Sequence, residues 1–286
     1  MRPSLFCNHS CVDEQLRILI AAALARVIEP ALVQHFPSAT VVVATTRGEV
    51  EHAVQRRPRF DVVISDLLWN SSAEYTFDGL DVLGILRAAD RESPVIIATQ
   101  GHTAEQDHLD EAVERDIVWG VFRKSGGPAL LLDAVERVGR GERLPTVAFP
   151  TGASRTSLPR IHTYFATTRG RTAARMAGAI ASGRAISHKT LAEVARVEYD
   201  TASKIGREYL GDLICRRGEH ISNQLPAHVP APVVYRWCGE HARYILSWCR
   251  RNGQTDVATR AIPLPHNDQF GNDASGLGRA GRADDR

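Results

Sequence analysis

The sequence predicts an α/β module followed by an all-α one, the first a five-stranded doubly wound parallel sheet and the second a helical domain. Three observations carry this. Five short apolar runs alternate with helix-periodic segments across about 130 residues, the pattern of a parallel sheet wrapped by crossover helices. The runs are almost continuously apolar rather than alternating, as strands covered on both faces are. Beyond residue 160 no such run recurs, and apolar residues fall at helical spacing instead.

Taken in order, Leu16 to Ala22 reads as the first strand, and Ala23 to Phe36 as a helix with Leu24, Val27, Ile28 and Leu32 on one stripe. Pro30 either kinks that helix or starts a new one. Val41-Val42-Val43 marks a second strand, and a polar helix spans about Gly48 to Gln55. Phe60-Asp61-Val62-Val63-Ile64-Ser65-Asp66 is a third strand, whose apolar run ends on a carboxylate. A helix follows from Gly79 to Arg87, then a fourth strand, Pro94 to Thr99, ending on a hydroxyl. A polar helix near Ala104 to Arg115 leads to Val118 to Lys124, a fifth strand ending on an ammonium. Ala129 to Val138 is the last helix, stopped by Gly139-Arg140-Gly141.

Open parallel sheets carry their reactive groups at the carboxyl ends of strands. Asp66, Thr99 and Lys124 close strands three, four and five and are expected to converge at one edge. At these residues the stretch 16–143 resembles the receiver domain of bacterial response regulators. The resemblance implies that Asp66 is the phosphoacceptor position, Thr99 the switch hydroxyl and Lys124 the cation that contacts an acyl phosphate. It also implies a histidine kinase as partner, with a small-molecule ligand as the alternative input. The acidic pair that binds magnesium in that family is replaced here by Ala22 and Ala23. Phosphoryl transfer depends on a metal neutralising the phosphate oxygens, so no Mg²⁺ and no other cofactor is expected unless Glu74 or Asp78 folds back to supply ligands. The family's switch aromatic is Val121 here. The expectation is an atypical receiver, with phosphorylation of Asp66 weak or absent.

Residues 144–159, rich in Pro, Thr, Ser and Gly, read as a linker. Past it, Gly170 to Gly183 is helical, Ser187 caps a helix over His188 to Ala195, and after a break at Arg196-Val197-Glu198 a longer helix runs from Tyr199 to Leu213. Helix, tight turn and helix make a helix-turn-helix. The stretch 160–222 resembles the DNA-binding domain of LuxR/NarL-class response regulators through Gly183, Leu191-Ala192, Val197 and Thr201. Glu198-Tyr199-Asp200 and Gly206 depart from it. The implied groove contacts are Asp200, Thr201, Ser203 and Lys204, and the phosphate contacts are Ser187, Lys189, Arg207, Arg216 and Arg217. Double-stranded DNA is the implied partner and a homodimer the implied assembly.

Charge agrees with this division. Residues 12–144 hold 14 Lys/Arg against 21 Asp/Glu, a balance of −7, and residues 155–222 hold 12 against 6, a balance of +6. An acidic half joined to a basic one fits a regulatory module attached to a nucleic-acid-binding module.

Residues 233–252 form a candidate amphipathic helix. Val234, Trp237, His241 and Trp248 share a face that is expected to pack back on the chain's own domains. The polar segment 253–286 reads as a disordered tail. No run of 18 apolar residues and no signal-peptide core appears, so a cytoplasmic protein with reduced thiols is expected. Cys7 and Cys11 lack a second ligand pair for zinc. No nucleophile–base spacing, Walker loop or HExxH motif occurs, so no enzyme is expected. The reading is a DNA-binding transcriptional regulator of the two-component type. The rival is a receiver-like adaptor that docks a partner protein without reading DNA.

Overall fold

Continuous apolar runs bounded by Pro, Gly and charged residues produce five short strands: β1 (Arg17–Ala21), β2 (Thr40–Ala44), β3 (Val62–Asp66), β4 (Val95–Thr99) and β5 (Val118–Arg123). In the computed structural model, which describes residues 15–69, 77–145, 159–219 and 229–259, they form one parallel sheet in the order β2-β1-β3-β4-β5. Every residue of β3 and β4 is buried, as their lack of alternation demands. The order reverses between β1 and β3, and β3 delivers Asp66 beside that switch point, where open α/β sheets build their sites.

Five helices cover the sheet: α1 (Ala25–His35), α2 (Arg47–Arg56), α3 (Gly79–Ala88), α4 (Gln106–Ala112) and α5 (Gly127–Gly139). Leu32 of α1 and Leu131, Val135 and Val138 of α5 pack on Ile18, Ile20 and Ile64, making one core. Helix α1 runs through Pro30 without a break. On the other face Val50, Val54, Leu83, Leu86 and Leu109 cover Leu19, Val63 and Ile97, and this second core continues without interruption into the helical half.

That half comprises α6 (Ile161–Phe165), α7 (Thr168–Ala181), α8 (His188–Ala195), α9 (Tyr199–Ser203), a π turn over Ile205–Tyr209, α10 (Gly211–Arg216), α11 (Ala231–Glu240), α12 (Ala242–Arg251) and α13 (Thr255–Ala258). Helix α7 is the axis. Its alanines and glycines allow close approach, and a Cβ on Gly178 would stand 2.8 Å from Cys249 Sγ.

Three sequence expectations are corrected. The helix expected over 233–252 is two helices that meet at His241, whose ring is held by acids of other elements. The helix expected from Tyr199 to Leu213 is divided by the π turn, because Gly206 lies against the backbone of Val229 and its carbonyl accepts the Val229 N–H at 3.1 Å. The segment expected to be a tail from 253 contains α13, pinned by fully buried Val257 and by Arg175 on Asp256, at 3.0 Å for its Nη1–Oδ1 contact. The linker positions 146–158, Cys7 and Cys11, and positions 260–286 lie outside the described residues. The two tryptophans of the C-terminal pair are buried as expected: Trp237 and Trp248 are 2% and 4% exposed, and Trp248 meets Phe165 edge-on at 5.2 Å. No described helix is long and apolar enough to cross a membrane.

Candidate functional site

Parallel register sets Asp66 opposite Ala98 and Thr99 opposite Arg123, so the ends of β3, β4 and β5 share one edge. Lys124 Nζ lies 2.7 Å from Asp66 Oδ1. Burial raises the Asp66 pKa above the usual carboxylate range; Lys124 opposes the rise and the nearby charge of Glu105 adds to it. Thr99 does not turn toward this pair. Its hydroxyl donates to Glu105 Oε2 at 2.5 Å, and Glu105 also takes the backbone N–H groups of Gln100, Gly101 and His102. Glu105 was not singled out in the sequence, where it is one acid among many in a polar helix. Directly after Asp66 the chain returns so closely that a Cβ on Gly79 would stand 2.7 Å from the Asp66 carbonyl oxygen. Only glycine fits there.

These residues do not fit a magnesium site. Ala22 and Ala23 offer no side-chain ligand, and both Glu105 oxygens are engaged by its own turn. Asp78 caps α3 through the Leu80 and Asp81 N–H groups and accepts from Ser247 and Arg250. Glu74 lies outside the described residues. Mg²⁺ demands near-ideal octahedral oxygen ligation, usually with one or two carboxylates. Here the one carboxylate at hand is already neutralised by an ammonium. Incubation with Mg²⁺ and acetyl phosphate is therefore expected to leave Asp66 unlabelled, and stoichiometric labelling in an intact-mass measurement would contradict this.

The second candidate surface is the face around α8 and α9. Helix α8 starts at Ser187, whose hydroxyl accepts the Thr190 N–H at 3.3 Å in a capping box, and stops at Arg196 in the left-handed conformation (φ 53°). Buried Leu191, Ala195, Ala202 and Ile205 turn α8 and α9 inward, and Lys189, Tyr199, Asp200, Ser203, Lys204 and Arg207 are exposed. Thr201 is half-buried, and the Ser203 hydroxyl folds back on the Asp200 carbonyl. Arg216 is exposed and paired with Asp212 at 2.9 Å. Arg217 is a correction. It is 7% exposed, bound to Asp107 at 2.8 Å and to Glu219 at 2.9 Å, and so cannot reach a phosphate.

A parallel sheet in this order, with an aspartate closing β3 and a lysine closing β5, decides the architecture of the front half. It is a receiver-like module. The chain is similar in structure to the two-component response regulator RcsB solved as a DNA complex (14% identity, 79% of this chain and 98% of that one, TM-score 0.44). It is also similar to the receiver domain of the Francisella response regulator 1452 (19%, 44% and 98%, 0.35) and to an adenylate cyclase from Rhodopirellula baltica (16%, 44% and 88%, 0.37). No protein-family model and no curated protein matches the sequence.

The receiver-like module is joined to the helical one by a buried ionic seam that sequence reasoning missed. Its acids are Asp81 of α3, Asp107 and Glu111 of α4 and Glu219 after α10, and its cations are Arg217 after α10, His241 between α11 and α12, and the arginines of α12. Glu111 accepts both Nη atoms of Arg251 at 2.6 and 2.8 Å and the Tyr244 hydroxyl at 2.7 Å. Asp81 takes Arg250 at 2.5 Å, and the Trp69 carbonyl takes Arg243 at 2.9 Å. Asp107 binds Arg217 and His241 Nδ1, the latter at 2.7 Å, while Glu219 accepts the Trp237 indole N–H at 2.6 Å. The signal available in the sequence was the helical i, i+4 spacing of Asp107 and Glu111 opposite the adjacent Arg250 and Arg251.

Burial opposes charge on Glu111, yet Arg251, Tyr244 and Arg115 hold its pKa at about 2; Glu219 is likewise held at about 2, against burial, by His241, Arg217 and Trp237. Burial pulls the His241 imidazole down, but its hydrogen bonds to Asp107 and Glu219 lift it to about 9 from an ordinary 6.5. A group raised on folding stabilises fully below its unfolded pKa and loses that contribution as pH rises through the folded one. Thermal stability is therefore expected to fall between about pH 6.5 and 9 by on the order of 3 kcal/mol. His241→Gln should flatten that limb in a pH series of melting curves.

Proposed function

We propose that this chain is a DNA-binding transcriptional regulator in which a receiver-like module without metal-dependent phosphorylation carries a helix-turn-helix. The observation that carries the reading is the α8–turn–α9 unit. Leu191, Ala195 and Ala202 are fully buried in it, while Lys189, Lys204 and, in the π turn that follows, Arg207 are exposed. Such a unit places its second helix in the major groove and its flanking cations on phosphates. Asp200 at the start of α9 would reject phosphate and accept from a cytosine amino group. Binding as a homodimer to two half-sites about 34 Å apart follows from the geometry of such motifs. On this reading Asp66 and Lys124 form a permanent ion pair that fixes the β3–β5 edge in one state.

The test is Lys204→Ala in the full-length protein, measured on DNA fragments selected by the wild type. Affinity is expected to fall for all sequences, with the log–log salt slope reduced by about one. An unchanged affinity and slope would remove Lys204 from the interface. Failure of the wild type to select any fragment would favour the partner-docking adaptor.

A further inference from the structure

Between the α2–α3 flank of the receiver-like module and α6 and α12 of the helical module lies an open cleft of about 1030 Å³. Cavities of this size at domain junctions are where small molecules bind. Its floor is apolar, formed by Val54, Leu80, Leu83 and the ring of Trp248. Its walls are charged, and their balance is uneven once each pair is followed outward. Of the four carboxylates that reach it, Asp81 shares Arg250 with Asp78, and Glu114 pairs with Arg160 and His162. Glu51 and Glu111 remain.

Of the five guanidinium groups in the walls, Arg87 turns to Glu92 outside. Arg47 pairs with Glu51, and Arg115, Arg251 and Arg250 are matched by Glu111, Asp81 and Asp78, so the unmatched cation of the rim is Arg91. The Arg91 side chain is exposed and has no partner among the described residues.

We infer that this cleft binds a small organic anion, a flat apolar body bearing one or two negative charges. A neutral hydrocarbon would leave Arg91 unanswered, and an inorganic anion would leave the apolar floor wet. An aromatic or alicyclic carboxylate, sulfonate or phosphate satisfies both. The site uses none of the residues of the α8–α9 face, so it stands whether or not that face reads DNA. Both modules contribute walls, so a ligand there stabilises their docked arrangement.

Gly84 supplies the test, since it lines the cleft on α3 and a Cβ built on it meets nothing within 4 Å. Gly84→Trp projects an indole from this open position on the cleft wall. Gly239→Trp, equally open but on α11 away from the cleft, is the control. The probe is 8-anilinonaphthalene-1-sulfonate, titrated into the full chain and followed by fluorescence, with circular dichroism confirming the native fold of each variant. Saturable binding of one probe per chain is expected, weakened at least tenfold by Gly84→Trp and about fivefold by Arg91→Glu, and unchanged by Gly239→Trp. The inference is overturned if the wild type shows no saturable binding, if Gly84→Trp binds like the wild type, or if Gly239→Trp loses as much.

Discussion

Glu111→Ala is expected to destabilise the protein by about 3–5 kcal/mol, the loss that follows when one partner of a buried ion pair is removed. Glu111 is 2% exposed and holds Arg251, Arg115 and the Tyr244 hydroxyl at once. Without it the buried Tyr244 phenol loses its acceptor and the Arg251 guanidinium is left with the Ser247 hydroxyl at 3.3 Å. Urea unfolding with a native-state probe in each module is the measurement. Both modules should lose stability together, because the core beneath α3 and α4 is continuous with that of the helical half. The double change Glu111→Met with Arg251→Met should recover part of the loss, since the paired charges are replaced together by apolar groups while the Tyr244 hydroxyl still lacks its acceptor. Acid acts on the same carboxylates. Glu111 and Glu219 are depressed to about 2 from an ordinary 4.5, so their contribution is complete above pH 4.5 and lost as pH falls through about 2.

Gly206→Ala is the second large effect, and its sign opposes helix propensity. In an ordinary helix interior the change would gain up to about 1 kcal/mol. Here the new Cβ would stand 2.0 Å from the Val229 carbonyl oxygen, a backbone atom with no rotamer to give. The π turn and the strap at Val229 must part, at a cost of about 1–3 kcal/mol. The same movement displaces Lys204 and Arg207 on either side of Gly206, so on the proposed reading DNA affinity should fall about tenfold with the side chains of Lys189, Lys204 and Arg207 intact. A variant with unchanged melting temperature and unchanged affinity would show that the strap does not position this face.

The receiver-like half was legible because its signals are local. A strand buried on both faces must be continuously apolar, and the residue that ends such a run must stand at the sheet edge, as Asp66 and Lys124 do. Ser187 was legible for the same reason, since a capping hydroxyl precedes its helix by one residue. What could not be read was pairing at long range. The positive balance of 155–222 was assigned to nucleic acid, yet Arg160 and Arg217 within it are taken by Glu114 and Asp107 of the front half. Charge counts carry sign but no partner, so an intramolecular seam and a nucleic-acid surface look alike. Gly206 read as a departure from the family pattern, because the Val229 backbone that requires a glycine there lies more than twenty positions away. Thr99 closes β4 as expected, but the direction of its hydroxyl was set by Glu105, which periodicity placed on a helix and not on the turn before it.

The most direct measurement is equilibrium binding of the full-length protein to a duplex from its own upstream region, between about 50 and 200 mM salt. A helix-turn-helix that grips phosphates with Lys189, Lys204, Arg207 and their symmetry mates should show a log–log slope steeper than about −3 and at least a tenfold preference over an unrelated duplex. A flat salt dependence with no sequence preference would contradict it.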